Sequence, residues 1–171
     1  MIATPAQTCP VGGDRPLTAR ECALVRDVFG GAIDVASVRV KRRRFFPFQP
    51  RNVVMAPMGH LHFHPAGAHY CDDFGEAPLS LQGLFIHEMA HVWQAQRKGR
   101  WYLPLMRHPF CRYDYRFVPG KPFVRYGIEQ QAEIVRHAFL AQKGHPEKDA
   151  PLLASLLAIL PFGDQQRTSR S

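Results

Sequence analysis

Two segments of this chain carry apolar residues at helical spacing, and the polar positions within them are unusual. Over residues 79–96, Leu81, Leu84, Phe85, Ile86, Met89, Ala90, Val92 and Trp93 leave few helix faces without an apolar side chain. Against that background Ser80, His87, His91, Gln94 and Lys98 form one polar strip, with Glu88 on its flank. The helix is expected to stop near Gly99. A second helix is predicted over 128–143, closed by Gly144, with Ile128, Ala132, Val135 and Phe139 as its apolar face. Glu129 and Glu133 sit together on a different face.

Weaker patterns fill in the rest. Thr18 followed by Glu21 is a capping box that opens a helix over 19–29, ended by Gly30-Gly31. Strand signals follow over 37–41. Residues 52–56, the turn Pro57-Met58-Gly59 and residues 60–64 read as a hairpin. Residues 111–117 alternate strictly, with Cys and aromatics on one side and charges on the other, as a half-buried strand does. A last apolar helix is expected over 150–160, after Asp149. Residues 1–16 and 163–171 show no period and read as a disordered arm and tail, which leaves one domain over 17–162.

The polar strip carries the chemistry. His87-Glu88-Met89-Ala90-His91 is an H-E-x-x-H segment. Histidines four apart on a helix lie about 40° apart around it and roughly 6 Å apart along it, so both imidazoles reach one metal ion. Three ionisable side chains in the middle of an apolar helix are costly unless something satisfies them. A hydrolytic zinc takes three protein ligands and leaves a position for water, from which Glu88 is placed to take a proton. One of the two acids of the second helix is the third ligand. Glu129 is favoured, and Glu133 then orients a ligand histidine through its other ring nitrogen. Tyr113, Tyr115, Tyr126 and His137 are candidates for stabilising the transition state.

His87-Glu88-Met89-Ala90-His91 followed by a helix carrying Glu129, Ala132 and Glu133 resembles the gluzincin branch of the zincin metallopeptidases. Residues 38–54, 84–94 and 126–134 together are similar to bacterial Vgr-related proteins, which are small, zincin-like and associated by name with type VI secretion. The resemblance implies an α+β, zincin-like fold: a small, mostly antiparallel sheet, an active-site helix beneath it, and a second helix delivering Glu129. It implies a zinc metallopeptidase acting on a peptide or protein substrate. The alternatives are a zincin scaffold serving as a binding or assembly component of a secretion system, or a basic polyanion-binding protein.

Composition narrows these readings. With 171 residues, 46% hydrophobic and 21% charged, the chain suits a single globular domain. No apolar run is long enough to span a bilayer, and the first residues lack the pattern of a signal peptide. A cytoplasmic bacterial location is expected, or export by a route that uses no such signal. Cys9, Cys22, Cys71 and Cys111 show no metal-ribbon spacing and are expected to be reduced. Part of the net charge of +8 lies in Lys41-Arg42-Arg43-Arg44, read as an edge strand whose charges discourage aggregation; nucleic acid is not the favoured partner. His60, His62 and His64 share a strand face, read first as solvent-facing, with a second metal site or a cleft edge as the other readings.

Overall fold

The computed structural model describes residues 8–106 and 114–162. It is a mixed α+β structure built around a central helix. In chain order the elements are β1 (Asp14–Pro16), α1 (Ala19–Phe29), β2 (Arg39–Lys41), β3 (Leu61–His62), α2 (Leu79–Lys98), α3 (Tyr102–Met106), α4 (Ile128–Gln142) and α5 (Leu153–Ile159). Short 3₁₀ turns at Val35–Ser37, Phe74–Glu76 and Phe123–Arg125 connect them. No described helix is long and apolar enough to cross a membrane.

Helix α2 is buried on nearly every side, as its all-round apolar pattern requires. Phe85 at its first half stacks on Phe74 at 5.0 Å, and Phe74 stacks on Phe63 at 5.2 Å, which ties the helix to the sheet. Trp93 at its second half meets Phe123 and Phe162 edge-on. Helix α4 lies along α2 and buries Ile128, Ala132, Val135 and Phe139, the face expected from its pattern. Gly83 permits the close approach: a Cβ there would stand 3.3 Å from the Leu140 side chain.

The sheet differs from expectation. Its order is β1-β2-β3; β1–β2 is antiparallel and β2–β3 parallel, so it is mixed rather than mostly antiparallel. Strand β2 is therefore central, not an edge, and only Lys41 of the basic run belongs to it. The expected hairpin is reduced to one antiparallel bridge, Met55 with His62, because the strand after the turn, β3, is only two residues long. Residues 14–16, expected to be part of a disordered arm, form β1, and Cys9 is buried. Of the strand expected over 111–117, residues 111–113 lie outside the described residues. Residues 114–117 keep the alternating exposure but pair with no described strand. The final helix is shorter than expected, and the tail over 163–171 lies outside the described residues.

The capping box at the start of α1 does more than cap. Thr18 Oγ1 accepts from Glu21 N at 3.1 Å, and Glu21 Oε2 accepts from Thr18 N at 2.8 Å. Glu21 is fully buried and also accepts from Phe74 N at 2.9 Å. Arg15 of β1 grips both its oxygens at 2.8 Å. One carboxylate thus joins β1, α1 and the turn that carries Phe74. Glu21→Gln leaves the Arg15 charge buried without its partner, so urea unfolding should show a loss of about 3–5 kcal/mol. A loss below about 1 kcal/mol, the scale of an exposed pair, would contradict this role.

Candidate metal centre

The packing of α4 on α2 brings the three expected donors to one point. His87 and His91, one turn apart on α2, have ring centroids 5.0 Å apart with planes at 76°. Glu129, on the first turn of α4, reaches between them: its Oε2 lies 3.4 Å from His87 Nε2 and 3.0 Å from His91 Nε2. One donor atom from each residue lies within 4.8 Å of the other two, and all three side chains are buried. Among the described residues this is the one such cluster.

Hydrogen bonds behind the rings decide what this arrangement can hold. Gln131 Nε2 donates to the Tyr126 carbonyl at 2.8 Å, which turns Gln131 Oε1 toward Gln94. Gln94 Nε2 donates to that oxygen and to the Ile128 carbonyl, both at 3.0 Å. Two carbonyls thereby fix both amide orientations, and Gln94 Oε1 faces His91 Nδ1 at 2.9 Å. An amide oxygen only accepts, so Nδ1 carries the proton and the Nε2 of a neutral His91 presents a lone pair to Glu129. His87 is held alike: its Nδ1 lies 2.7 Å from Glu133 Oε1, which leaves Nε2 for the shared point. Two nitrogen lone pairs and a carboxylate aimed at one buried point repel one another unless a cation lies between them.

The titration of His87 follows. Burial opposes its charge most strongly. The hydrogen bonds to Glu129 and Glu133, with the nearby Glu88 charge, outweigh that and raise it from 6.5 to about 9. Burial likewise raises the Glu133 carboxyl, but His87, Arg136 and His137 hold it below its ordinary value. When no metal is bound, a proton on His87 meets the demand for positive charge. Two nitrogens and one carboxylate are a donor set suited to zinc. The residues present therefore fit a metal ion held by His87, His91 and Glu129, with Glu133 and Gln94 orienting the two imidazoles.

The remaining expected residues divide clearly. Glu88 is buried and, with His87 and Glu133, lines an open cleft of about 490 Å³ whose other walls include Asn52, Val53, Val54, Leu81 and Leu84. Glu133 Oε2 lies 3.1 Å from Arg136 Nη1 and 3.4 Å from His137 Nε2, and His137 Nδ1 meets the Tyr115 hydroxyl at 2.8 Å. Tyr115 and His137 are thus linked to His87 through Glu133. The Tyr126 hydroxyl is committed to Val118 N, from which it accepts at 3.1 Å. Tyr113 lies outside the described residues.

His62 and His64 are buried, which overturns the solvent-facing reading of that strand. Burial, then Lys41 and Arg43, push His62 down to about 4 and keep it neutral. His64 Nε2 accepts from Arg44 Nε at 3.0 Å, and no acidic side chain completes a second metal site among the described residues. The pair Gln94–Gln131 escaped the sequence reading, although Gln94 lay on the polar strip. An uncharged residue three positions after the second histidine was the available signal.

Two outcomes are expected. Glu129→Ala should weaken zinc affinity more than Glu133→Ala or Gln94→Leu, each of which should lose on the order of 10–100-fold by dye competition. Equal affinity in wild type and Glu129→Ala would show the ligand set to be wrong. In the metal-free chain the raised pKa of His87 stabilises the fold fully below about 6.5, the ordinary histidine value, and that contribution fades as pH rises through about 9. Melting temperature without metal should fall across that window, and saturating zinc should flatten the dependence; a fall unchanged by zinc would contradict the competition between proton and metal.

No protein-family model matches the chain. It is 38% identical over 157 residues to the type VI secretion system spike protein VgrG2b of Pseudomonas aeruginosa, a match that takes in 87% of this chain and 15% of that protein. The chain therefore spans a small part of that relative's length. The effector domain of P. aeruginosa VgrG2b has a solved structure that superposes with a TM-score of 0.64 at 32% identity, over 99% of this chain and 86% of that one. At that identity and coverage of a whole domain, the chain belongs to the family of the VgrG2b effector domain.

Proposed function

We propose that this chain is an effector-type domain associated with a type VI secretion system, and that its chemistry is zinc-dependent hydrolysis of a peptide bond. The family relationship supports the first part. The second rests on one observation: a buried Glu88 beside three convergent donors, opening on a cleft. A scaffold with a merely structural metal has no need of an additional buried carboxylate on an open cleft, because structural sites are closed. In this reading the fold is zincin-like, with α2 as the active-site helix and α4 supplying the third ligand.

Zinc held by His87, His91 and Glu129 supplies Lewis acidity, which lowers the pKa of water toward 7 and polarises a carbonyl. The chain's own residues do the rest. Glu88 takes a proton from water as its oxygen bonds to the scissile carbonyl carbon. It then delivers that proton to the amine nitrogen as the C–N bond breaks. Glu133 and Gln94 keep His87 and His91 in fixed tautomers and orientations. Apolar Val53, Val54, Leu81 and Leu84 beside polar Asn52 and Ser80 give the cleft the mixed character that a peptide requires. Tyr115 and His137, joined to each other and to Glu133, are the described candidates for stabilising the developing oxyanion.

Glu88→Gln keeps the size and removes the base. Zinc content should stay near one per chain, while cleavage of a peptide identified from a library falls by roughly 10²–10⁴-fold. Cleavage at the wild-type rate by the Gln variant would refute the mechanism. For the secretion association, release of the tagged chain from its host should stop when the type VI apparatus is disabled; undiminished release would contradict it.

A further inference from the structure

Between Asp34 and Asp72 the chain has no acidic residue, yet it carries Arg39, Lys41, Arg42, Arg43, Arg44 and Arg51. Part of this charge is committed. Arg39 pairs with Asp14, Arg43 lies 3.8 Å from Asp14, and Arg42 turns over the Tyr70 ring and donates to the Cys9 carbonyl. Arg44, whose Nε donates to His64 Nε2, and Arg51 are exposed and have no carboxylate partner among the described residues. Between them stands Phe45-Phe46-Pro47-Phe48. Phe48 is 88% exposed and Phe46 38%.

This segment is held in shape from beneath. Gln49 is buried; its Oε1 accepts from Phe45 N at 2.7 Å, and its Nε2 donates to the Val53 carbonyl at 2.8 Å and the His62 carbonyl at 3.2 Å. The Phe45 ring packs edge-on against His62 at 5.2 Å. A buried amide thus anchors a loop whose outer side leaves the Phe48 ring in water and the Phe46 ring partly so, which costs free energy unless something covers them.

We propose that this loop docks the protein on an anionic lipid bilayer, with Phe46 and Phe48 entering the boundary between headgroups and acyl chains and Arg44 and Arg51 meeting lipid phosphates. Apolar rings flanked by arginines are the composition of interfacial anchors, and each cation near such a surface adds to the attraction. A ring as exposed as Phe48 is open to its surroundings on almost all sides, which suits a fluid apolar phase better than the flat stacking platform that bases require. The loop leads directly into Asn52, Val53 and Val54 of the cleft wall, so docking would hold the cleft at the membrane surface. The proposal stands independently of hydrolysis.

Flotation of the whole chain with vesicles tests it. Vesicles of phosphatidylcholine and phosphatidylglycerol should retain the protein at least about ten-fold better than phosphatidylcholine alone, less so at high salt. The double variants Phe46→Ser/Phe48→Ser and Arg44→Gln/Arg51→Gln should each weaken retention about ten-fold or more without loss of the cooperative melt. Phe48→Trp in a Trp101→Phe background, with the Trp93 emission of the Trp101→Phe protein subtracted, should shift its emission to the blue on anionic vesicles and be quenched by brominated lipid. Equal retention on both vesicle types, none on either, or an unshifted emission from the introduced indole would overturn the proposal. So would wild-type retention by the phenylalanine variant, or tighter capture by a single-stranded oligonucleotide that needs the arginines but not the rings.

Discussion

Everything at the functional end of this structure depends on one electrostatic constraint: two imidazole nitrogens and a carboxylate converge, buried, between α2 and α4. Such a cluster is stable only around positive charge. A proton on His87 supplies it in the metal-free chain, and a divalent cation held by the same three donors would supply it instead. The constraint explains why polar residues interrupt a helix that is otherwise apolar all round. It also explains why Glu129 and Glu133 tolerate each other one turn apart: each faces a histidine nitrogen, and Glu133 has Arg136 as well.

The support of this cluster is asymmetric. His87 is backed by a carboxylate that is itself tied to Arg136 and His137, so its ring answers to charge. His91 is backed by two neutral amides anchored on backbone carbonyls, so its tautomer is fixed by geometry alone. The side facing Glu133 opens on the cleft, while Gln94 is buried beneath α4. The histidine nearest the cleft thus has the adjustable partner and the deeper one the rigid partner.

Helices α1, α2 and α4 and the cluster of donors were legible in the sequence because each rests on local periodicity, whereas the short α3 was not expected. Residues 19–29 carried their capping box, and His87, His91, Glu129 and Glu133 each fell on one face of a strongly patterned helix. The sheet was less legible. Strand β2 is three residues long, and its parallel partner β3 lies across a long connection with no signal for register. Burial of His62 depends on Phe45 and Gln49 folding over it, a tertiary event no alternation pattern records. Glu21 shows the same limit: its cap was local and readable, whereas its pairing with Arg15 across β1 was not. The Gln94–Gln131 relay required knowing which carbonyls stand behind the amides.

The most direct test of the central claim is anomalous diffraction from crystals grown with zinc, recorded on both sides of its absorption edge. A single strong peak bounded by His87 Nε2, His91 Nε2 and a Glu129 oxygen, at about 2.0–2.2 Å from each, is the predicted result. A peak held by other residues, or none at this point with zinc in excess, would contradict the account.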